Sequence, residues 1–335
     1  PLVAKFTATD DVTLFYDDDQ YSYRIPAIAR TGNNTLVAVS DYRHNLDDIG
    51  RDNHGTGTKR IDLVMRTSND NGATWSATRT IAAGDNSKTG SYLRAFGDAA
   101  IAAYGNNILV MAAAGDVLYT AGTTSNPNRM ARIYSTDNGE NWTIEEMTTK
   151  MYSQSTSLIP SAGSAFFGSG KLAVDENFNN TGKARIYGAL LVRIGSNNYN
   201  NFAVFSDDLG ATWKILGGDN TNPIASGDEP KIEILPNGQI LLSARRGGGR
   251  VFRVFTYGDD KANGAGSWGN AAVNGCGNGG SNATNGEIIC LNAKKIDGTA
   301  VKLLLQSQPQ GGSNQYDRNN VTIWYKEVSA AETYT

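Results

Sequence analysis

Arg24 lies in Tyr23-Arg24-Ile25-Pro26, between the acidic turn Tyr16-Asp17-Asp18-Asp19 and the apolar run Ala27-Ile28-Ala29. A guanidinium set in an otherwise apolar strand start must keep its charge near water or an anion. Asp41-Tyr42-Arg43-His44-Asn45-Leu46-Asp47-Asp48 places a second arginine among three carboxylates, and Arg94-Ala95-Phe96-Gly97-Asp98 adds another carboxylate. Glu229-Pro230 precedes an Asn237-Gly238 turn and a strand-like run that ends in Arg245-Arg246, and Arg318 opens the run to Trp324. Planar guanidinium groups bond carboxylates bidentately and stay charged at any working pH, so such arginines suit a small anionic substrate. Each residue also has a plainer use. Arg24 could be a salt-bridge partner, Asp47 and Asp48 part of a solvated acidic loop, Asp98 a turn acceptor and Glu229 part of a surface turn.

Other chemistries fit less well. The two histidines, His44 and His54, and two cysteines, Cys276 and Cys290, are too few for a His/Cys metal site with good ligand spacing. No Gly-x-Ser-x-Gly nucleophile elbow precedes a helix, which argues against a Ser-His-Asp enzyme. A net charge of −3 gives no electrostatic footprint for nucleic acid or an anionic membrane. No run of about 18 apolar residues is present, so no membrane span is expected. No secretion signal is visible in Pro1-Leu2-Val3-Ala4-Lys5-Phe6, which a mature secreted chain would equally lack. Cys276 and Cys290 flank a glycine-rich loop, and a disulfide between them, worth about 3 kcal/mol, is expected to order it.

The elements that must position these residues follow from a repeat. Ser68-Asn-Asp70-Asn-Gly72-Ala-Thr74-Trp75 recurs as Ser135-Thr-Asp137-Asn-Gly139-Glu-Asn141-Trp142 and as Ser206-Asp-Asp208-Leu-Gly210-Ala-Thr212-Trp213. The spacing is roughly 70 residues, long for a propeller blade, with the excess assigned to loops on one face. Each copy reads as a hairpin turn: the Asp bonds back to turn amides, the Gly supplies positive φ, and the Trp starts the next strand. Short apolar runs after turn signals predict strands at 35–40, 108–112 and 239–244. Others are predicted at 61–66, 131–134, 202–205, 301–305 and 321–325. No amphipathic helix of ordinary length is expected. A β-sandwich would not explain three copies of one hairpin, so a β-propeller is the better architecture.

Tyr-Arg-Ile-Pro ahead of several Ser-x-Asp-x-Gly-x-Thr-Trp boxes resembles the bacterial exo-sialidases, across the chain from Arg24 to Arg318. The resemblance implies an all-β, six-bladed propeller occupying residues 1–335 as one catalytic domain. It implies a retaining exo-α-sialidase acting on sialylated glycans or glycoproteins, with no metal or other cofactor. The sialic acid carboxylate would be held by Arg24, Arg245 and Arg318, with the Ser-Ala-Arg spacing favouring Arg245 over Arg246. Arg43 would lie near the O4 side of the sugar, and Asp98 would face the N-acetyl and O4 region. Asp48, with Asp47 as runner-up, matches the acid/base. Because sialic acid carries a carboxylate on its anomeric carbon, the family uses a tyrosine nucleophile, and Glu229 matches the glutamate that takes its proton.

The chain departs from the pattern beyond Arg318. Neither Tyr325 nor Tyr334 has the context of the nucleophile, which is expected on a C-terminal portion missing from these residues, together with the rest of the ring. The rival expectation is a catalytically incomplete propeller that binds sialic acid. The substrate implies a secreted, periplasmic or cell-surface location.

Overall fold

The computed structural model describes residues 11–17, 21–45, 47–195, 198–219, 221–246, 249–274, 284–309 and 319–335. Five sheets follow one another along the chain in a propeller arrangement. The first is the meander β1 (Ser22–Arg30), β2 (Leu36–Arg43), β3 (Ile61–Ser68) and β4 (Arg79–Ala82). The second repeats it with β5 (Phe96–Tyr104), β6 (Asn107–Ala114), β7 (Arg129–Ser135) and β8 (Thr143–Glu146). After β9 (Ala162–Phe167), the short β10 (Gly170–Lys171) lies parallel to β5 and completes that second sheet.

The third sheet runs β11 (Ala173–Asp175), β12 (Arg185–Ile194), β13 (Asn198–Ser206) and β14 (Lys214–Ile215); β9 joins it on β12, and β15 (Ile224–Ala225) on β13. The fourth is β16 (Asp228–Ile234), β17 (Ile240–Arg246), β18 (Gly249–Tyr257) and β19 (Gly266–Trp268), with β20 (Ala272–Asn274) also on β18. The fifth is β21 (Ile288–Lys294), β22 (Ala300–Pro309) and β23 (Val321–Val328). Each of the eight expected apolar runs falls on a strand, with Thr35 and Gln239 one residue ahead of β2 and β17. Among the described residues, the α-helical content is the single turn Thr148–Met151, so no helix is long and apolar enough to cross a membrane.

Alternation along the strands decides how the sheets stack. Ile108 and Val110 face the first sheet, where Val37, Val39 and Leu63 meet them, while Leu109 and Met111 face Leu190, Val192 and Val204 of the third. The same switch puts Ala203 and Phe205 against Leu242 and Phe255 of the fourth sheet, and Leu241 and Val254 against Ile288 of the fifth. Each sheet is thus apolar on both faces, and the core is a series of slabs between neighbours. At the two ends of the series, Ile28 is 53% exposed, and Val321 and Ile323 are 76% and 52% exposed.

The repeated turns are built alike. In the first, the Ser68 hydroxyl donates to Asp70 at 2.8 Å and accepts from the Gly72 amide, and Asp70 accepts from the Thr74 amide at 2.8 Å and the Thr74 hydroxyl at 2.5 Å. Asn141 replaces the threonine in the second copy and its side-chain amide donates to Asp137 at 2.7 Å. Trp75, Trp142 and Trp213 each donate their indole N–H to the carbonyl of the box glycine. Those glycines take φ of 91°, 88° and 80°, as a turn without a Cβ allows. Trp142 and Trp213 immediately precede β8 and β14, whereas Trp75 stands four residues ahead of β4.

Candidate active site

Arg24, Asp98 and Glu229 lie on the first strands of three blades, and each of those strands is broken in the same way. The pairing of β1 with β2 slips between Arg24 and Ala27, β5 with β6 between Gly97 and Ala100, and β16 with β17 between Asp228 and Lys231. Inside each slip one residue takes positive φ: Ile25 at 52°, Asp98 at 52° and Glu229 at 34°. A bulge redirects side chains that a regular strand would send into the inter-sheet slabs. The conformation is costly for a β-branched residue such as Ile25, the sort of strain found at functional sites.

Arg24, Asp48, Asp98 and Glu229 line one cavity of about 320 Å³, closed on another side by Leu118, Tyr119 and Tyr199. An adjoining cavity of about 370 Å³ is lined by Arg24, Glu229 and Arg245, with Ser307 and Pro309 beyond. The Arg24 side chain is exposed, and among the described residues no ion pair engages it. Arg245 donates to Glu229 at 2.7 Å and lies 3.7 Å from Asp228. Arg246, its neighbour on the strand, is exposed and lines neither cavity. Arg318 lies outside the described residues, as does Cys276 of the expected disulfide; Cys290 carries a free thiol.

Asp47 and Asp48 separate clearly. Asp47 is buried, accepts from the Asn53 amide and lies 3.9 Å from His54, so it braces its own loop. The Asp48 carboxylate is half exposed at the cavity and is held by Arg43, with Arg51 4.0 Å away. Burial raises the Asp48 proton affinity, but the charge and hydrogen bond of Arg43 outweigh it and hold the carboxyl below the ordinary range. Asp98 shows the opposite balance: burial pushes it up against the pull of Arg43.

Arg43 itself lies beneath the cavity and does not line it. Its side chain has no exposure, donating to Asp41 at 2.8 Å and 3.2 Å, to the Asp47 carbonyl at 3.3 Å and to Asp48, with Asp98 3.7 Å away. Burial alone would weaken its hold on a proton, but the three carboxylates raise it further. The missed member of this cluster is Asp41. Its only signal in the sequence is its place two residues before Arg43, which on a strand puts both on one face.

A model of the BNR/Asp-box repeat matches residues 133–143, spanning the whole of the second box. Over 232 residues the chain is 27% identical to a sialidase of Clostridium perfringens, covering 67% of this chain and 55% of that protein. A sialidase of Paraclostridium sordellii is 26% identical over 237 residues, covering 68% of this chain and 53% of that protein.

The chain is related to the bacterial sialidases.

It spans about half the length of the curated sialidases it matches. Solved sialidases share its fold. The Hadza microbial sialidase Hz136 superposes with a TM-score of 0.67 at 20% identity, over 93% of this chain and 57% of that one. Trypanosoma rangeli sialidase in complex with sialic acid gives 0.65 at 17% identity, over 95% and 52%. The intramolecular trans-sialidase from Ruminococcus gnavus in complex with oseltamivir carboxylate gives 0.66 at 14% identity, over 94% and 82%.

Proposed function

We propose that the protein is a retaining exo-α-sialidase that removes terminal sialic acids from glycans or glycoproteins outside the cytoplasm. The observation that carries this reading is the convergence of Arg24, Asp48, Asp98 and Glu229, from three blades, on one cavity. Arg24 and Arg245 hold the sugar carboxylate, joined by Arg318. An anionic nucleophile would be repelled by that carboxylate. A tyrosine, neutral until Glu229 takes its proton, attacks the anomeric carbon instead. Asp48 protonates the leaving oxygen and then activates water, which gives retention. Bringing the substrate carboxylate and a covering sugar ring to Asp48 raises its proton affinity from its depressed value.

On this reading the tyrosine belongs to a sixth blade, which the five described sheets do not include. The exposed apolar side chains on the end sheets, Ile28 on β1 and Val321 and Ile323 on β23, favour a further sheet between them. Neither Tyr325 nor Tyr334 lines either cavity.

The test is release of aglycones from α-linked sialosides by the full-length protein. Asp48→Asn is expected to lose about 10²–10⁴-fold in turnover on a natural sugar aglycone and far less on a phenolic one that departs without protonation. Arg24→Ala is expected to lose about 10²-fold or more in kcat/KM. Saturable sialic acid binding without turnover would overturn the enzymatic reading.

A further inference from the structure

We infer that Asp41, which touches neither cavity, is the positioning residue through which Asp48 and Asp98 are held in working geometry. The inference rests on the function proposed above and adds to it a residue outside the substrate's reach. Asp41 has no exposure and lies on β2 directly opposite Arg24. One of its oxygens, Oδ2, accepts from Arg43 Nη2 at 2.8 Å and Nε at 3.2 Å. The Asp98 amide donates to both oxygens, to Oδ1 at 3.0 Å and more weakly to Oδ2 at 3.3 Å. The first set of bonds orients the guanidinium that carries Asp48; the second pins the peptide at which β5 turns to φ of 52° and presents Asp98. A buried carboxylate thus joins two blades at the point where both deliver a side chain to the cavity.

The backbone is shaped around it. A Cβ added at Gly97 would come within 2.7 Å of Asp41 Oδ2 and 3.1 Å of its Cγ, so only a residue without a side chain lets the carboxylate reach across. An asparagine at position 41 fits the same space but supplies one acceptor oxygen where two are used. Either the Arg43 bonds or the Asp98 bond must then face an amide donor. The substitution therefore disturbs the support without removing volume.

Asp41→Asn in the full-length protein tests this, with Gly97→Ala as a second variant that crowds the carboxylate and removes no polar group. Both should lose about 100-fold in kcat on a sugar aglycone but only about threefold on a phenolic one, because the damage reaches the reaction through the proton donor. In an Asp48→Asn background the Asp41→Asn change should add little to the loss on the sugar aglycone, since the two act in series. Equal losses on both aglycones, or full additivity with Asp48→Asn, would refute the assignment. Normal activity of either variant would do the same. If the unsubstituted protein binds sialic acid without turning it over, the function above fails. Asp41 is then tested by affinity: a roughly tenfold weakening in Asp41→Asn, through displacement of Asp98, supports positioning, and unchanged affinity refutes it.

Discussion

Gly168 follows β9 and donates its amide to the Ala189 carbonyl at 2.8 Å, while its Cα faces the fourth blade at Pro230. A Cβ built there would lie 1.7 Å from the Pro230 carbonyl oxygen and 2.9 Å from its carbonyl carbon. Close carbon–oxygen contacts settle at about 3.3–3.6 Å, so Gly168→Ala must separate the two strands by roughly 1.6 Å. Both obstructing groups are backbone, and no side chain can swing aside. Overpacking costs about 1–3 kcal/mol, and the upper end applies here. At about 2–4 °C per kcal/mol the melting temperature should fall by roughly 6–12 °C. Glu229 is the residue before Pro230, so the shift also reaches the site, where a displacement of about 1 Å can cost 10²-fold in rate. Calorimetry of Gly168→Ala reads the first effect and sialoside turnover the second. Gly258→Ala is the control, since a Cβ there meets nothing nearer than 3.7 Å. A Gly168→Ala protein melting within about 1 °C of the parent would refute the close packing of the third and fourth blades at this point.

Two further outcomes concern stability. The Asp70 carboxyl is lowered to about 2 by the Thr74 hydroxyl and amide, and Asp137 to about 2 by the Asn141 amide and side chain. Both are depressed in the folded state, so their contribution is complete above the unfolded value of about 3.9 and is lost as pH falls toward 2. The doubly substituted Asp70→Asn, Asp137→Asn protein should show a shallower fall of melting temperature from pH 5 to 2; a slope parallel to the parent's would refute the boxes' part in acid stability. Arg185 lies between the rings of Phe178 and Phe205, 3.7 and 4.0 Å from their centroids, and donates twice to Asp207 at 2.7 Å. Arg185→Lys keeps the charge but loses the planar stacking and the fork, and should cost about 2–3 kcal/mol in urea denaturation. A loss under about 0.5 kcal/mol would show the sandwich to be incidental.

Much of this architecture could be read before any fold was known, because its information is local. A box such as Ser68 to Trp75 carries its own acceptors, its own positive-φ glycine and its own closing hydrogen bond, so the hairpin needs nothing from elsewhere. Glu229 and Arg245 came from the resemblance; one hairpin carries both, and their ion pair spans it. Arg43 was different. The resemblance implied a group facing the substrate, but its position depends on Asp98, which a different blade brings within 3.7 Å. Contacts between blades have no period in the sequence, so neither the burial of Arg43 nor the part of Asp41 could be read from it. Asp48 was preferred to Asp47 on the resemblance alone, since two adjacent carboxylates in a loop differ in setting only once the loop has folded back on Asn53 and His54.

The three slipped strand pairings also bear on how this scaffold can be altered. Ile25, Asp98 and Glu229 hold unrelated side chains on a common backbone mount: the kink is supplied by the pairing with the second strand, whichever residue sits at its apex. A branched apolar side chain and two carboxylic acids of different length are already accommodated on it. Exchanging the fitting on one mount leaves the apolar slabs that hold the blades together untouched. The chemistry of the cavity and the stability of the ring are therefore separable quantities, and a redesign of one can be attempted without refolding the other.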